Sequence, residues 1–243
     1  NQLAYFHGRH SSASPLFIDT KGRSPDFLFG GRDTAAVVDS KGAILIINEN
    51  VFSWGEKSLE WSILPGGEQA KSVAFCTQFV IAADWKGQVS EASLAKWKKG
   101  VAPSFKIVPE LSGIEVVEVA GKSEHCFAVC KDGSVFGRGS NSRGKLGLGE
   151  QSDALSFTRI SSLSDYKITS ASAGFNHSLF ITNDGKVLAC GCNDSGQLMT
   201  KSFGSDERSP IETTITDGAT FCIAGSFISA VLVNAEVPMH MPN

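Results

Sequence analysis

The sequence predicts an all-β fold assembled from internal repeats of about fifty residues, a period that marks stacked sheets rather than a single continuous core. Three observations predict it. One segment recurs in a single ungapped register further along the chain. Glycines punctuate short apolar runs at near-regular intervals. No long stretch carries helical periodicity.

The clearest pair sets HCFAVCKDG, His125 to Gly133, against HSLFITNDG, His177 to Gly185, at an offset of 52 residues. The match runs on without a gap: Asp132 meets Asp184, Gly139 meets Gly191, Asn141 meets Asn193, Gly144 meets Gly196 and Leu146 meets Leu198. Two upstream copies share only the pattern. TAAVVDSKG ends at Gly42 and FVIAADWKG at Gly87, each followed by further strand-forming residues. Each copy reads as a short apolar strand, a two-residue turn and a second strand. Asp-Gly or Lys-Gly supplies the turn, which demands positive φ. The best helical candidate, EASLAKWKK from Glu91 to Lys99, is short and reads as a loop with at most one helical turn.

Both ends look like half repeats. Tyr5 to Arg9 resembles the strand that ends at Gly139, and Gly225 to Val233 resembles the strand that opens at Gly174. Pairing the two halves closes a ring and removes exposed strand edges. The expected organisation is one domain over residues 1–243. Its repeats span about 30–72, 73–118, 119–172 and 173–224, with half repeats at 1–29 and 225–236.

Composition agrees. Glycine is enriched, 25 residues in 243 against a usual share of roughly 7%, as many tight turns require. A net charge of −3 weighs against non-specific nucleic-acid binding by the whole domain. No run approaches the ~20 apolar residues that span a bilayer, and no signal peptide is visible, so no membrane partner is expected. Six cysteines are too few for a disulfide scaffold and read as reduced thiols of a cytoplasmic or nuclear protein.

With AGFNHSLFITNDGKVLACGCNDSGQL (173–198) and the matching run from Gly121 to Gly149, the sequence resembles the regulator of chromosome condensation family over residues 119–199. Residues 30–118 share strand pattern and turn glycines but lack the histidine and the Asn-x-x-Gly element. The resemblance implies a β-propeller of four-stranded blades, either five-bladed and closed by the termini or part of a larger seven-bladed ring. Within it, Leu146 and Leu198 are expected between blades. His125 and His177, placed alike one repeat apart, are expected to be structural.

Motifs that suggest chemistry fall to the repeat. Gly139 to Leu146 nearly spells a phosphate-binding loop, but Leu146 stands where Ser or Thr should hold magnesium, and no amphipathic helix follows. Cys190 with Cys192 and Cys126 with Cys130 lack the spacing of structural zinc sites. No catalytic, cofactor or metal site is expected. Candidate partner-binding residues are Trp54, Trp61, the basic cluster Lys96, Trp97, Lys98 and Lys99, then Arg143, Lys145, Asp206, Glu207 and Arg208. The expected function is non-catalytic protein binding. The resemblance also implies guanine-nucleotide exchange on a Ran-like GTPase, for which the segment Thr200 to Pro210 is the candidate loop, or contact with chromatin.

Overall fold

The computed structural model describes residues 2–5, 16–19, 25–30, 34–39 and 43–48, and then residues 61–94 and 104–233. The chain divides into two compact units, Asn1–Gly113 and Ile114–Asn243. Among the described residues the regular structure is strand with four short 3-10 turns, and no helix is long and apolar enough to cross a membrane.

In the first unit, β1 (Gln2–Tyr5) pairs antiparallel with β2 (Leu16–Asp19). β3 (Pro25–Gly30), β4 (Thr34–Asp39), β5 (Ile44–Asn48) and β6 (Trp61–Ser62) form a four-stranded sheet in chain order. β7 (Ala70–Phe75), β8 (Phe79–Asp84), β9 (Val89–Ser93) and β10 (Lys106–Ile107) form a second. Glu91 to Ser93, the start of the helical candidate, are therefore strand: they pair with β8, where a helix would leave the edge of that sheet unbonded.

The second unit holds two four-stranded meanders and a two-stranded sheet. The first is β11 (Val116–Lys122), β12 (His125–Cys130), β13 (Val135–Gly139) and β14 (Ala154–Arg159). The second is β15 (Ile168–Ala173), β16 (His177–Thr182), β17 (Val187–Gly191) and β18 (Glu207–Glu212). β19 (Ala219–Ala224) pairs with β20 (Ser229–Val233). These sheets stack in sequence order, β12 and β11 against β15, and β16 and β15 against β19. A strand sandwiched on both faces has no polar side to alternate with. Every residue of β12 and β16 is accordingly buried, while the outermost strands β14 and β18 are largely exposed.

The core between the meanders joins Phe127 and Val135 to Phe180 and Leu188, with Phe127 edge-on to Phe180 at 5.1 Å. Leu146 enters this cluster fully buried, and Leu198 enters the next one beside Leu179 and Cys222. Each such leucine contributes about 1.5–3 kcal/mol by burial.

The hairpins differ from the two-residue turn that Asp-Gly suggests. The Cys130 N–H donates to the Ser134 carbonyl, and the Gly133 N–H to Cys130; Thr182, Gly185 and Lys186 repeat the arrangement. Three residues therefore form each loop. Gly133 and Gly185 have φ of 91° and 80°, while Asp132 and Asp184 are not in the left-handed region that a type I′ turn would require. Asp132 instead accepts from the backbone and hydroxyl of Ser134, and Asp184 from the Thr182 hydroxyl. In the first unit Asp84, three residues before its turn glycine, caps the backbone N–H groups of Lys86 and Gln88. Asp39 does the same for Ala43.

Candidate functional site

The long connections of the second unit leave the sheets at the end opposite the Asp-Gly hairpins, residues 140–153 after β13 and 192–206 after β17. Each is organised by the asparagine of the repeat. The Asn141 carboxamide oxygen accepts from the Leu146 N–H at 3.0 Å, and its nitrogen donates to the carbonyls of Gln151 (2.8 Å) and Gly149 (3.3 Å). Asn193 accepts from Leu198 at 3.1 Å and donates to the Ser202 carbonyl at 2.7 Å and to the Thr200 hydroxyl. One buried side chain thus spans the loop and turns its leucine into the core. Gly144 lies where a Cβ would stand 2.3 Å from the Cα of Arg208, so the first loop rests on β18 through a position open to glycine alone.

The two histidines face inward and bind the following sheet. His125 Nε2 is 2.8 Å from the Ser178 hydroxyl, which donates at 2.7 Å to the Lys145 carbonyl. His177 repeats this with Ser229 (2.9 Å), which donates to the Gln197 carbonyl at 2.6 Å. A serine has one proton to give, so each serine oxygen accepts from Nε2–H and the imidazole is the Nε2-protonated neutral form. Burial pushes His125 down to about 3, with the Lys145 ammonium adding to it, and His177 down to about 4, with Lys122 adding to it. A histidine–serine pair sealed between sheets has no room for a substrate; its chemistry is that of a fastener.

Arg143 ties the two loops together. Its Nη1 and Nη2 donate to Asp194 at 2.6 and 2.9 Å, and its Nε and Nη2 to Asp206 at 2.8 and 2.6 Å. Asp194 opens the second loop and Asp206 closes it. The guanidinium hydrogen bonds hold the Asp194 carboxyl below the usual carboxylate range. Cys192, Asp194 and Asp206 offer ligand atoms within 4.8 Å of one another. Arg143 already occupies both carboxylates, so the cluster is an ion-pair network filled from within.

Of the candidate partner-binding residues, Arg143 and Asp206 are thus brought into direct contact. Arg208 pairs with Glu150 at 3.3 Å beside them, and Glu207 begins β18. Lys145 is a correction: at 1% exposure it is buried, its ammonium 3.4 Å from Glu124, because the same turn that buries Leu146 carries it inward. It therefore offers no surface cation. Trp61 stands on β6; Trp54, Lys96, Trp97, Lys98 and Lys99 lie outside the described residues. Sequence reasoning missed Asp194, Ser178 and Ser229. The serines carried a signal, since Ser178 directly follows His177 and Ser229 occupies the equivalent place in the C-terminal half repeat.

Comparison with known proteins fits this architecture. The Regulator of chromosome condensation (RCC1) repeat matches residues 116–145 and 168–197, and a second description of the same repeat matches 132–181. The human E3 ubiquitin-protein ligase HERC2 is 31% identical over 212 residues, which is 84% of this chain and 4% of the ligase. The secretion-regulating guanine nucleotide exchange factor of Bos taurus is 36% identical over 83 residues, 34% of this chain and 18% of that protein. The chain thus spans a small part of these curated relatives. Among solved structures, Prp20p from Saccharomyces cerevisiae superposes with a TM-score of 0.72 at 13% identity, over 92% of this chain and 59% of that one. That likeness shows the fold, a β-propeller of four-stranded blades. With β11–β14 and β15–β18 built on the matched residues, the second unit carries repeats of the regulator of chromosome condensation family.

Proposed function

We propose that the chain is a non-catalytic protein-binding module that presents its long inter-strand loops from a rigid stack of sheets. The observation that carries this reading is the double fork of Arg143 on Asp194 and Asp206, which joins two consecutive loops into one ordered surface. Loops fixed on a rigid scaffold lose little entropy on binding, and recognition concentrates on such loops. The buried His–Ser pairs support a structural rather than a catalytic use of the repeat histidines.

The second reading is nucleotide exchange on a Ran-like small GTPase. Two likenesses favour it: the bovine relative is a guanine nucleotide exchange factor, and yeast Prp20p binds Gsp1p. Prp20p also binds histones, which supports a third reading, chromatin contact, against which the net charge of −3 weighs. Release of labelled nucleotide from a panel of small GTPases separates the first two. Saturable protein binding with unchanged release is expected; acceleration of release by about tenfold or more on one GTPase would establish exchange instead.

A further inference from the structure

We infer that the loop from Met199 to Asp206 is the part of this surface that the protein partner contacts, with Phe203 as its anchor and Arg143 as the residue that positions it. The inference rests on the protein-binding reading above and adds the residues and the kind of pocket they fit.

Phe203 is 73% exposed. A Cβ at Gly196 would stand 2.5 Å from its ring, so one edge of the ring lies against the glycine backbone and the rest faces solvent. The backbone that carries it is pinned on either side of the ring. The Met199 N–H donates to Gly196, the Gly204 N–H to the Asn193 carbonyl, and the Thr214 N–H to the Met199 carbonyl, at 3.0, 3.1 and 2.9 Å. Asn193 holds the Ser202 carbonyl from inside the loop, and Arg143, from the neighbouring sheet, holds Asp206 at its end and Asp194 ahead of its start. Arg143 itself adopts a left-handed backbone with φ of 60°, uncommon outside glycine and asparagine, and that geometry aims its side chain across to the second loop. An exposed aromatic on a loop that is already ordered matches what binding hot spots require.

The surroundings of the ring define the pocket it fits. Arg143 hydrogen-bonds both Asp194 and Asp206, so each carboxylate at the base of the loop has a cationic partner, the three groups together keeping one net negative charge. Lys201 is exposed on the same loop. The complementary surface is an apolar pocket of phenyl size on a folded protein, with a carboxylate at its rim for Lys201. Two other exposed apolar side chains lack this setting. Leu155, 96% exposed, stands on the outer strand β14, and Trp85 has the Lys71 ammonium 5.3 Å from its ring centre.

The test places photoreactive benzoyl-phenylalanine at position 203 and, as a control, at position 155 of the full chain. Cross-linked proteins are identified by mass spectrometry, and the purified partner is titrated against the chain and its variants. A partner captured at 203 and not at 155 is expected. Phe203→Ala should weaken its binding by about tenfold or more, and Leu155→Ala by less than about twofold. Arg143→Ala should weaken binding and speed hydrogen exchange over residues 199–206, with Arg143→Lys failing to restore either, because an ammonium cannot make the double fork. A partner that binds equally well after Phe203→Ala would overturn the inference and leave the protein-binding reading standing. Absence of any saturable partner would overturn that reading and this inference with it.

Discussion

At the scale of single residues, a pair of glycines and a pair of histidines carry testable constraints. Gly185 combines φ of 80° with a Cβ position 2.5 Å from the Gly218 nitrogen, whereas Gly67 has φ of 76° and open space around it. Gly67→Ala should therefore cost about 1 kcal/mol of left-handed strain, while Gly185→Val adds a clash with backbone and should cost roughly 3 kcal/mol or more. Urea denaturation measures both; equal midpoints would remove the clash from the explanation. The histidines add a pH dependence whose sign follows from their lowered values, about 3 for His125 and about 4 for His177. The unfolded chain takes up both protons near its ordinary value of about 6.5, and the native chain does not. Stability is thus complete above that pH and falls as the pH drops from about 6.5 towards 4, by about 1.4 kcal/mol per pH unit for each histidine. Comparing urea midpoints at pH 7 and pH 5 tests this before most carboxylates titrate. The slope should be halved in His177→Asn, and an unchanged slope there would mean that His177 is not held neutral.

At the scale of the element, the repeat is a unit of fastening. The histidine of one sheet reaches the serine of the next, and that serine reaches back to the loop carbonyl of the first sheet. Ser178→Ala would remove the hydroxyl that links the His125 Nε2–H to the Lys145 carbonyl between sheets, a cost of about 1–3 kcal/mol for the broken buried relay. Calorimetry should show it, and a Ser178→Ala protein as stable as the parent would argue against the fastener. This unit also explains what the sequence made legible. Where His125, Asn141, Gly144 and Leu146 recur one repeat later, the repeat identified both four-stranded sheets of the second unit and the buried placing of the leucines. In β8 the corresponding positions are Phe79 and Val80, which can neither give nor accept the relay, so the first unit shared only strand pattern and turn glycines. Its Asp39 and Asp84 cap the hairpins from a different position than Asp132 and Asp184, a substitution of one turn chemistry for another that identity matching does not detect. The candidate surface was legible in part. Arg143 and Asp206 were visible as charged loop residues, but their pairing depends on two loops meeting across neighbouring sheets. Lys145 looked like a surface cation because nothing in its spacing reveals that the Asn141 turn carries it inward.

At the scale of the molecule, the last sheet of the second unit among the described residues is a half-sheet, and its energetics differ from those of the sheets before it. β16 is hydrogen-bonded on both sides, to β15 and β17, and every residue in it is buried. β20 pairs with β19, and among the described residues no further strand joins it. Phe221, Ile223 and Leu232 stand exposed on this half-sheet. In the preceding sheet the two β19 positions correspond to Ser170 and Ser172 by the repeat, so this half-sheet carries large apolar groups where the sheet before it carries serines. Opening free energies track how much apolar surface and how many bonds a segment must give up, and local values range from near zero to that of global unfolding. Hydrogen exchange should therefore grade along the stack. The amides of Leu179 and Phe180 should exchange only with global unfolding, and those of Ala230 and Leu232 through local opening, faster by several orders of magnitude. Equal protection in β16 and β20 would contradict this grading. It would mean that another strand completes the last sheet in solution, as the half repeats at the two ends of the sequence predict, and that the exposed apolar face is an interior surface of the propeller.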